Sequence, residues 1–173
     1  MIPLRVVTLH DAHPDLSRRE LHRVARAAHR SVGVKWAVDI LPEHFGQGAG
    51  SRYGYTPRTH AWNRRKQQAK RFGKSEGGYG DDLVFTGELR RQVLQSARFN
   101  IDDYPSRVTI RMTGPKYFTL RARSKHTIRI AQEILRYSLR DLRVLGDTFE
   151  SAFNRELRSV RADRRARKTT RTG

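Results

Sequence analysis

The sequence contains no cysteine and no long apolar run, and acidic residues are scarce in it. Without cysteine, neither a disulfide framework nor a thiolate site for a metal or for redox chemistry can form. No stretch reaches the roughly 18 apolar residues that a membrane-spanning helix needs, so we expect no membrane contact. The first ten residues lack the basic start and apolar core of a secretory signal, so we expect a protein made in a reducing cytoplasm.

The charge balance is strongly positive. The 173 residues include 36 Lys and Arg but only 17 Asp and Glu, which gives a formal net charge of +19. Such an excess repels itself, and it favours a partner that is polyanionic or acidic. The alternative interpretation is a surface charge that serves only solubility.

The first part of the chain predicts a strand followed by a long helix. Residues 2–9 form a short segment rich in β-branched side chains, which predicts a strand. Ser17 and Glu20 have the spacing of a capping box. Apolar residues then recur at three- and four-residue steps, which predicts one buried helical face that ends at Pro42.

The second half predicts two more helices and a hairpin. Residues 88–97 have an apolar face at helical spacing. In residues 107–113 and 118–123 apolar and polar side chains alternate, which predicts the two strands of a hairpin with one solvent-exposed, basic face. Phe99 and Ile101 are expected to begin the same sheet. In residues 124–137 the spacing of Ile128, Ile130 and Ile134 suits either a further strand or a helix, and we favour a loop plus a short strand.

The last predicted helix starts at Ser138, where Asp141 adds a favourable first-turn charge. It runs to residue 160 and leaves residues 161–173 as a basic tail, disordered until it meets an anionic partner. The predicted fold is α+β, with a small antiparallel sheet flanked by two long amphipathic helices. We expect one domain over residues 1–160, with an extended arm inserted at residues 44–80.

The arm is the most informative segment. From residue 44 to residue 75 there are eight Lys or Arg and no acid, glycines punctuate the first half, and residues 73–80 read as a hinge. Residues 59–71 favour a short basic helix. The candidate interface residues, cations interleaved with rings, are Arg52, Tyr53, Tyr55, Arg58, Trp62, Arg64, Arg65, Lys66, Lys70, Arg71 and Phe72. Such a mixture is typical of grooves for single-stranded nucleic acid and of protein interfaces alike, and composition does not separate the two.

Four cations of the tail are candidate contacts with a partner: Arg164, Arg165, Arg167 and Lys168. Motifs of catalysis are weak by comparison. His10 and His13 lack a third metal ligand at an obvious spacing, and the pairs Asp81-Asp82 and Asp102-Asp103 stand in turn contexts rather than in a nuclease-like cluster. No phosphate loop or nucleophile elbow is present. We therefore expect no enzyme and no cofactor.

Four segments occur in order along the chain: ILPEHF at residues 40–45, RYGYTPR at 52–58, LVFTGELR at 83–90, and Glu133-Ile134 followed by a long amphipathic helix. Taken together, they resemble the phage virion-morphogenesis or tail-completion proteins, the group that includes the Mu G-like family. Two features depart from that pattern, the GGYG insertion before Leu83 and the basic tail.

The resemblance implies a structural protein of a tailed-phage virion, made in the host bacterial cytoplasm and built into the neck or tail-completion region. The implied partners are other neck, tail and connector proteins and further copies of the chain in a ring, with non-specific contact to DNA. The arm would then wrap a neighbouring subunit. The alternative is a free basic protein that binds nucleic acid during packaging or regulation.

Overall fold

The computed structural model describes residues 13, 15–73, 83, 87–96, 98–113 and 130–171. Helices hold 70% of these residues, and two strands form a small antiparallel sheet, so the predicted α+β class with long helices is confirmed. The expectations for residues 2–9, 74–80 and 118–123 lie outside the described residues. Among the described helices, none combines the length and the apolar character needed to cross a membrane.

Helix α1 spans Arg18–Lys35 and begins where the capping box predicts. The Glu20 amide donates to Ser17 Oγ (3.3 Å), and the Ser17 amide donates to Glu20 Oε2 (2.9 Å). A π-helical turn, Trp36–Ile40, and the short helix α2, Leu41–Glu43, follow. Proline has no N–H and its ring collides with the carbonyl four residues earlier. The wider turn gives Pro42 that room, and the chain remains helical through Glu43.

The first half of the arm is folded, so the prediction of an extended, mobile loop is wrong there. Helix α3 spans Ala49–Tyr53, with Gly48 (φ 76°) and Gly54 (φ 61°) at its two ends. These glycines supply the left-handed conformation that starts and stops a helix of one turn. Helix α4, His60–Arg71, confirms the short basic helix, and its Trp62 amide donates to Thr59 Oγ1 (3.2 Å).

The described strands form a hairpin over residues 98–113, and the predicted pairing of residues 107–113 with residues 118–123 lies outside the described residues. Strand β1 is Arg98–Tyr104 and β2 is Arg107–Thr113, so the start of the sheet at residues 99 and 101 is confirmed. The preceding helix is also present, as α5 (Glu88–Arg91) and a π-helical turn (Gln92–Ser96). The short strand expected within residues 124–137 is wrong in their described part, because Ile130–Ile134 forms helix α6.

Helix α7 spans Leu139–Arg171, so most of the predicted disordered tail is helical. Ser138 caps it as predicted, with the Asp141 amide donating to Ser138 Oγ (3.1 Å). The extension beyond residue 160 is held by ion pairs. Arg161 donates to Asp15 Oδ2 (3.0 Å), and Arg164 donates to Glu20 Oε1 (2.9 Å). The prediction failed because it treated these cations as unpaired.

Contacts divide the chain into two compact units, while the single domain over residues 1–160 stays a prediction. Unit 1 comprises Met1–Trp36, Asn100–Arg111 and Arg143–Gly173, and unit 2 comprises Ala37–Phe99 and Met112–Leu142. The apolar core of unit 1 joins α1 to α7: Leu16, Leu21, Val24, Ala25, Ala28, Ala152, Phe153, Leu157 and Val160. A Cβ at Gly33 would lie 2.9 Å from Ile101 Cγ2, so glycine lets the hairpin approach α1 closely.

Candidate interaction surface

The structure divides the predicted interface residues of the arm between the interior and the surface. Tyr53, Tyr55 and Lys66 are buried, with 4%, 6% and 5% of their surface exposed, and Trp62 is half-buried. Tyr53 and Tyr55 are therefore packed inside unit 2, and their part in an interface with another chain stays a prediction. Aromatic rings on a glycine-rich segment pack into their own unit when that segment folds back, as α3 does.

A buried ion pair fixes the end of this segment. The Arg58 Nη2 donates to Glu133 Oε2 (2.7 Å), and Arg58 Nη1 donates to Glu133 Oε1 (3.2 Å). The Thr56 amide also donates to Glu133 Oε1 (3.0 Å). The two charged side chains are only 4% and 3% exposed. A bidentate pair with an added backbone donor satisfies the buried carboxylate, and it ties residues 56–58 to α6.

A stack of three rings holds the other end. The His44 ring lies parallel to Tyr53, with centroids 3.8 Å apart and planes 10° apart, and Tyr53 is 5.9 Å from Tyr55. His44 Nδ1 and the Tyr55 hydroxyl share a hydrogen bond of 2.6 Å. The exposed Arg52 forms an ion pair with Glu43 beside the stack. These contacts join α3 to the end of α2.

Burial sets the protonation of these rings. It lowers the pKa of His44 to about 4, with Asp141 opposing the shift and Arg52 adding to it. It also raises the pKa of Tyr53 to about 12, and the nearby Asp141 carboxylate acts in the same direction. At neutral pH both rings are therefore uncharged. A fully buried neutral imidazole between two phenols is a packing element of unit 2.

Three of the exposed cations of the arm share one face of α4 with an exposed aromatic ring. Arg64, Gln68 and Arg71 follow each other at four- and three-residue steps, Arg65 and Phe72 lie beside them, and all five are exposed. Phe72 is 76% exposed. The opposite side of α4 is covered: the Trp62 ring lies 5.9 Å from the Arg58 guanidinium and 5.1 Å from the Lys66 ammonium. We call Arg64, Arg65, Arg71 and Phe72 the α4 face.

The remaining predicted residues lie elsewhere. Lys70 is exposed on a different side of α4 from the α4 face, and Arg164, Arg165 and Arg167 are exposed on α7. Lys168 also belongs to α7, but its side chain lies outside the described residues. Arg164 is already engaged, because it binds both Glu20 and the Asp15 carbonyl.

Sequence reasoning missed the polar interior. His44, Glu133 and Asp141 are buried, at 0%, 2% and 3% exposure. The spacing of Asp141 from Ser138 predicted its role at the helix start but not its burial. Nothing local marks His44, because a buried polar residue looks in sequence like an exposed one until its partner is known. For Glu133 the sequence does give a signal: it stands three residues after Ile130, the spacing of one helical face, within the helix Ile130–Ile134. In the described part of the chain, no three His, Asp or Glu side chains cluster to hold a metal ion.

The first prediction concerns the buried pair. Arg58→Ala leaves Glu133 buried without its cation, so we expect a loss of about 3–5 kcal/mol in the free energy of unfolding. Arg52→Ala is the matched control, since its pair with Glu43 is 39% and 36% exposed. We expect it to lose less than about 1 kcal/mol. Denaturant unfolding measures both, and equal losses in the two variants would contradict the assigned role of the pair.

The second prediction concerns pH. His44 binds a proton near pH 6.5 when unfolded but only near pH 4 when folded. Between those values the unfolded chain binds more protons than the folded protein does. The contribution of His44 to the free energy of unfolding is therefore complete above about pH 6.5, and up to about 3 kcal/mol of it is lost as the pH falls towards 4. His44→Gln should flatten this part of the pH profile, and the exposed His22→Gln should leave it unchanged. Identical profiles for wild type and His44→Gln would refute the assignment.

No family model matches the chain, and no curated protein or solved structure is significantly similar to it. Its function is accordingly inferred from its own residues and from the motifs that they form.

Proposed function

We propose that this protein is a structural component of a tailed-phage virion, acting in head–tail joining at the neck or tail-completion region as part of a ring. One observation carries the proposal. Residues from three of the four motifs that resemble the virion-morphogenesis proteins meet in unit 2. His44 of ILPEHF stacks on Tyr53 of RYGYTPR, and Arg58 of that second motif binds Glu133.

This convergence gives the ordered motifs a physical reason. Tyr55 and His44 are hydrogen-bonded partners, and Arg58 and Glu133 are ion-pair partners 75 residues apart. Each motif supplies what another needs when it is buried, so the segments work as a set. A set of interdependent residues is a more specific feature than any one short motif alone.

The distribution of exposed apolar side chains supports assembly with other proteins. Unit 2 carries five of the seven large apolar side chains that the described residues expose: Val38, Phe72, Leu135, Leu139 and Leu142. Phe72 and Leu139 are the most exposed, at 76% and 77%. Large apolar side chains bordered by arginines are typical of protein interfaces, where they supply the anchors and the arginines supply directed hydrogen bonds. The α4 face has this composition.

A ring is the assembly that best fits such a surface. Copies of one chain that repeat a head-to-tail contact form either an open filament or a closed ring, and only the ring satisfies every interface. The alternative function, a free nucleic-acid-binding protein, predicts a monomer that is absent from particles. Where the chain is found therefore separates the two functions.

The test uses the phage or prophage that encodes this chain. Mass spectrometry of purified particles should find the chain in stoichiometric amount, and deletion of its gene should leave heads and tails unjoined. Phe72→Asp combined with Leu139→Asp should fail to restore particles, because a buried interface does not accept unpaired carboxylates. Val34→Asp, an exposed apolar position of unit 1 at 44%, is the matched control and should restore them.

Two outcomes would overturn the proposal. One is a chain that is missing from infectious particles while its gene is expressed. The other is full infectivity of the doubly substituted variant, which would remove the exposed apolar residues of unit 2 from any role in assembly.

A further inference from the structure

The exposed side of α1 carries a row of arginines that the proposed function does not use. Arg19, Arg23, Arg26 and Arg30 follow each other at four-, three- and four-residue steps and are all exposed, with Arg18 and His22 beside them. At about 1.5 Å per residue, the row from Arg19 to Arg30 is about 17 Å long. It lines a surface groove of about 1020 Å³ in unit 1. We call these four arginines the α1 row.

The residues that the structure describes do not neutralise the α1 row. None of its arginines forms an ion pair or a hydrogen bond through its side chain with any residue that the structure describes. Two carboxylates line the groove, Glu20 and Asp103. Glu20 is occupied by Ser17 and Arg164. Five arginines thus share a groove with one carboxylate outside a described ion pair.

Helix α7 shows that the scarcity of Asp and Glu beside exposed arginines is particular to α1. The exposed arginines of α7 alternate with acids, Asp147, Glu150, Glu156 and Asp163, and Arg155 lies 3.7 Å from Glu156. Along the α1 row, no acid stands between Arg19 and Arg30 other than Glu20 at its beginning. A face that served only solubility would mix both signs, as α7 does.

We propose that the α1 row binds the phosphate backbone of a nucleic-acid duplex. Duplex DNA carries about one negative charge per 1.7 Å when both strands are counted, so a length of about 17 Å carries about ten phosphate charges, about five on each strand. A rigid helix that presents cations at regular steps fits a continuous line of phosphates. Guanidinium groups bind phosphates through paired hydrogen bonds.

The groove favours a duplex over the other anionic partners. Ala27 is its one apolar lining residue, so it lacks the buried aromatic or aliphatic anchor that a protein interface needs. The one ring in its lining is the imidazole of His22, so it lacks the Phe, Tyr or Trp platforms on which successive bases of a single strand would stack. An acidic protein and a single strand therefore become outcomes of the test. The surface belongs to unit 1 and stands independently of the α4 face.

The test measures binding of the purified full chain to a short labelled DNA duplex as a function of salt. The variant replaces the row by glutamine: Arg19→Gln, Arg23→Gln, Arg26→Gln and Arg30→Gln. Each lost phosphate contact lowers the slope of log K against log salt by about 0.9, so we expect the slope to fall by about 3–4. Exposed Arg-to-Gln changes on a helix keep the fold, which circular dichroism and denaturant unfolding verify.

The matched control removes the same charge from α7: Arg140→Gln, Arg143→Gln, Arg155→Gln and Arg158→Gln, all exposed. It should lower the slope by less than half as much. Equal effects of the two variants would show that net charge alone drives binding, and the proposal would fall. Polyglutamate that competes as well as duplex DNA would identify an acidic protein instead, and single-stranded DNA that binds more tightly would exclude the duplex; either result overturns the proposal.

Discussion

The ion pair between Arg58 and Glu133 is the contact on which unit 2 depends. It is almost fully buried, and it joins a segment beginning at Arg52 to a helix that follows more than seventy residues later. A charge in that position is stable only when its partner is present. The pair, the Thr56 amide and the ring stack on His44 together turn a glycine-rich segment into a fixed part of the unit. Helix α4 is positioned by this contact, because Arg58 lies directly before its cap.

Four of the described carboxylates bind partners within the fold. Glu133 binds Arg58, Asp15 binds Arg161, Glu20 binds Arg164, and the buried Asp141 caps α7. With 17 acids for 36 bases, this leaves a surface excess of arginine that the chain cannot neutralise itself. That excess differs between the two units. Unit 1 presents a row of arginines with little apolar surface, while unit 2 combines arginines with exposed apolar side chains. The first composition fits a polyanion and the second fits another protein.

The long helices were predictable from sequence because their signals are local. Ser17 with Glu20, and Ser138 with Asp141, mark helix starts by spacing alone, and a three- to four-residue apolar period marks the buried faces. The arm was not predictable in the same way. Its glycines favour an extended loop locally, and only contacts with His44 and the distant Glu133 fold it. The prediction of a disordered tail was wrong for the same reason, because its ion-pair partners, Asp15 and Glu20, are far from it in sequence. The spacing of the α1 row is a local feature that is already present in the sequence, on the side of α1 opposite its apolar face.

We propose that the two units face different partners, protein for unit 2 and a nucleic-acid duplex for unit 1. The most direct measurement is a cryo-electron microscopy reconstruction of the neck in particles of the phage that encodes this chain. We expect density for a neighbouring protein against Phe72 and Leu139, and phosphate density of DNA along Arg19 to Arg30. A neck in which Phe72 and Leu139 face solvent, with the α1 row turned away from the DNA, would contradict the claim.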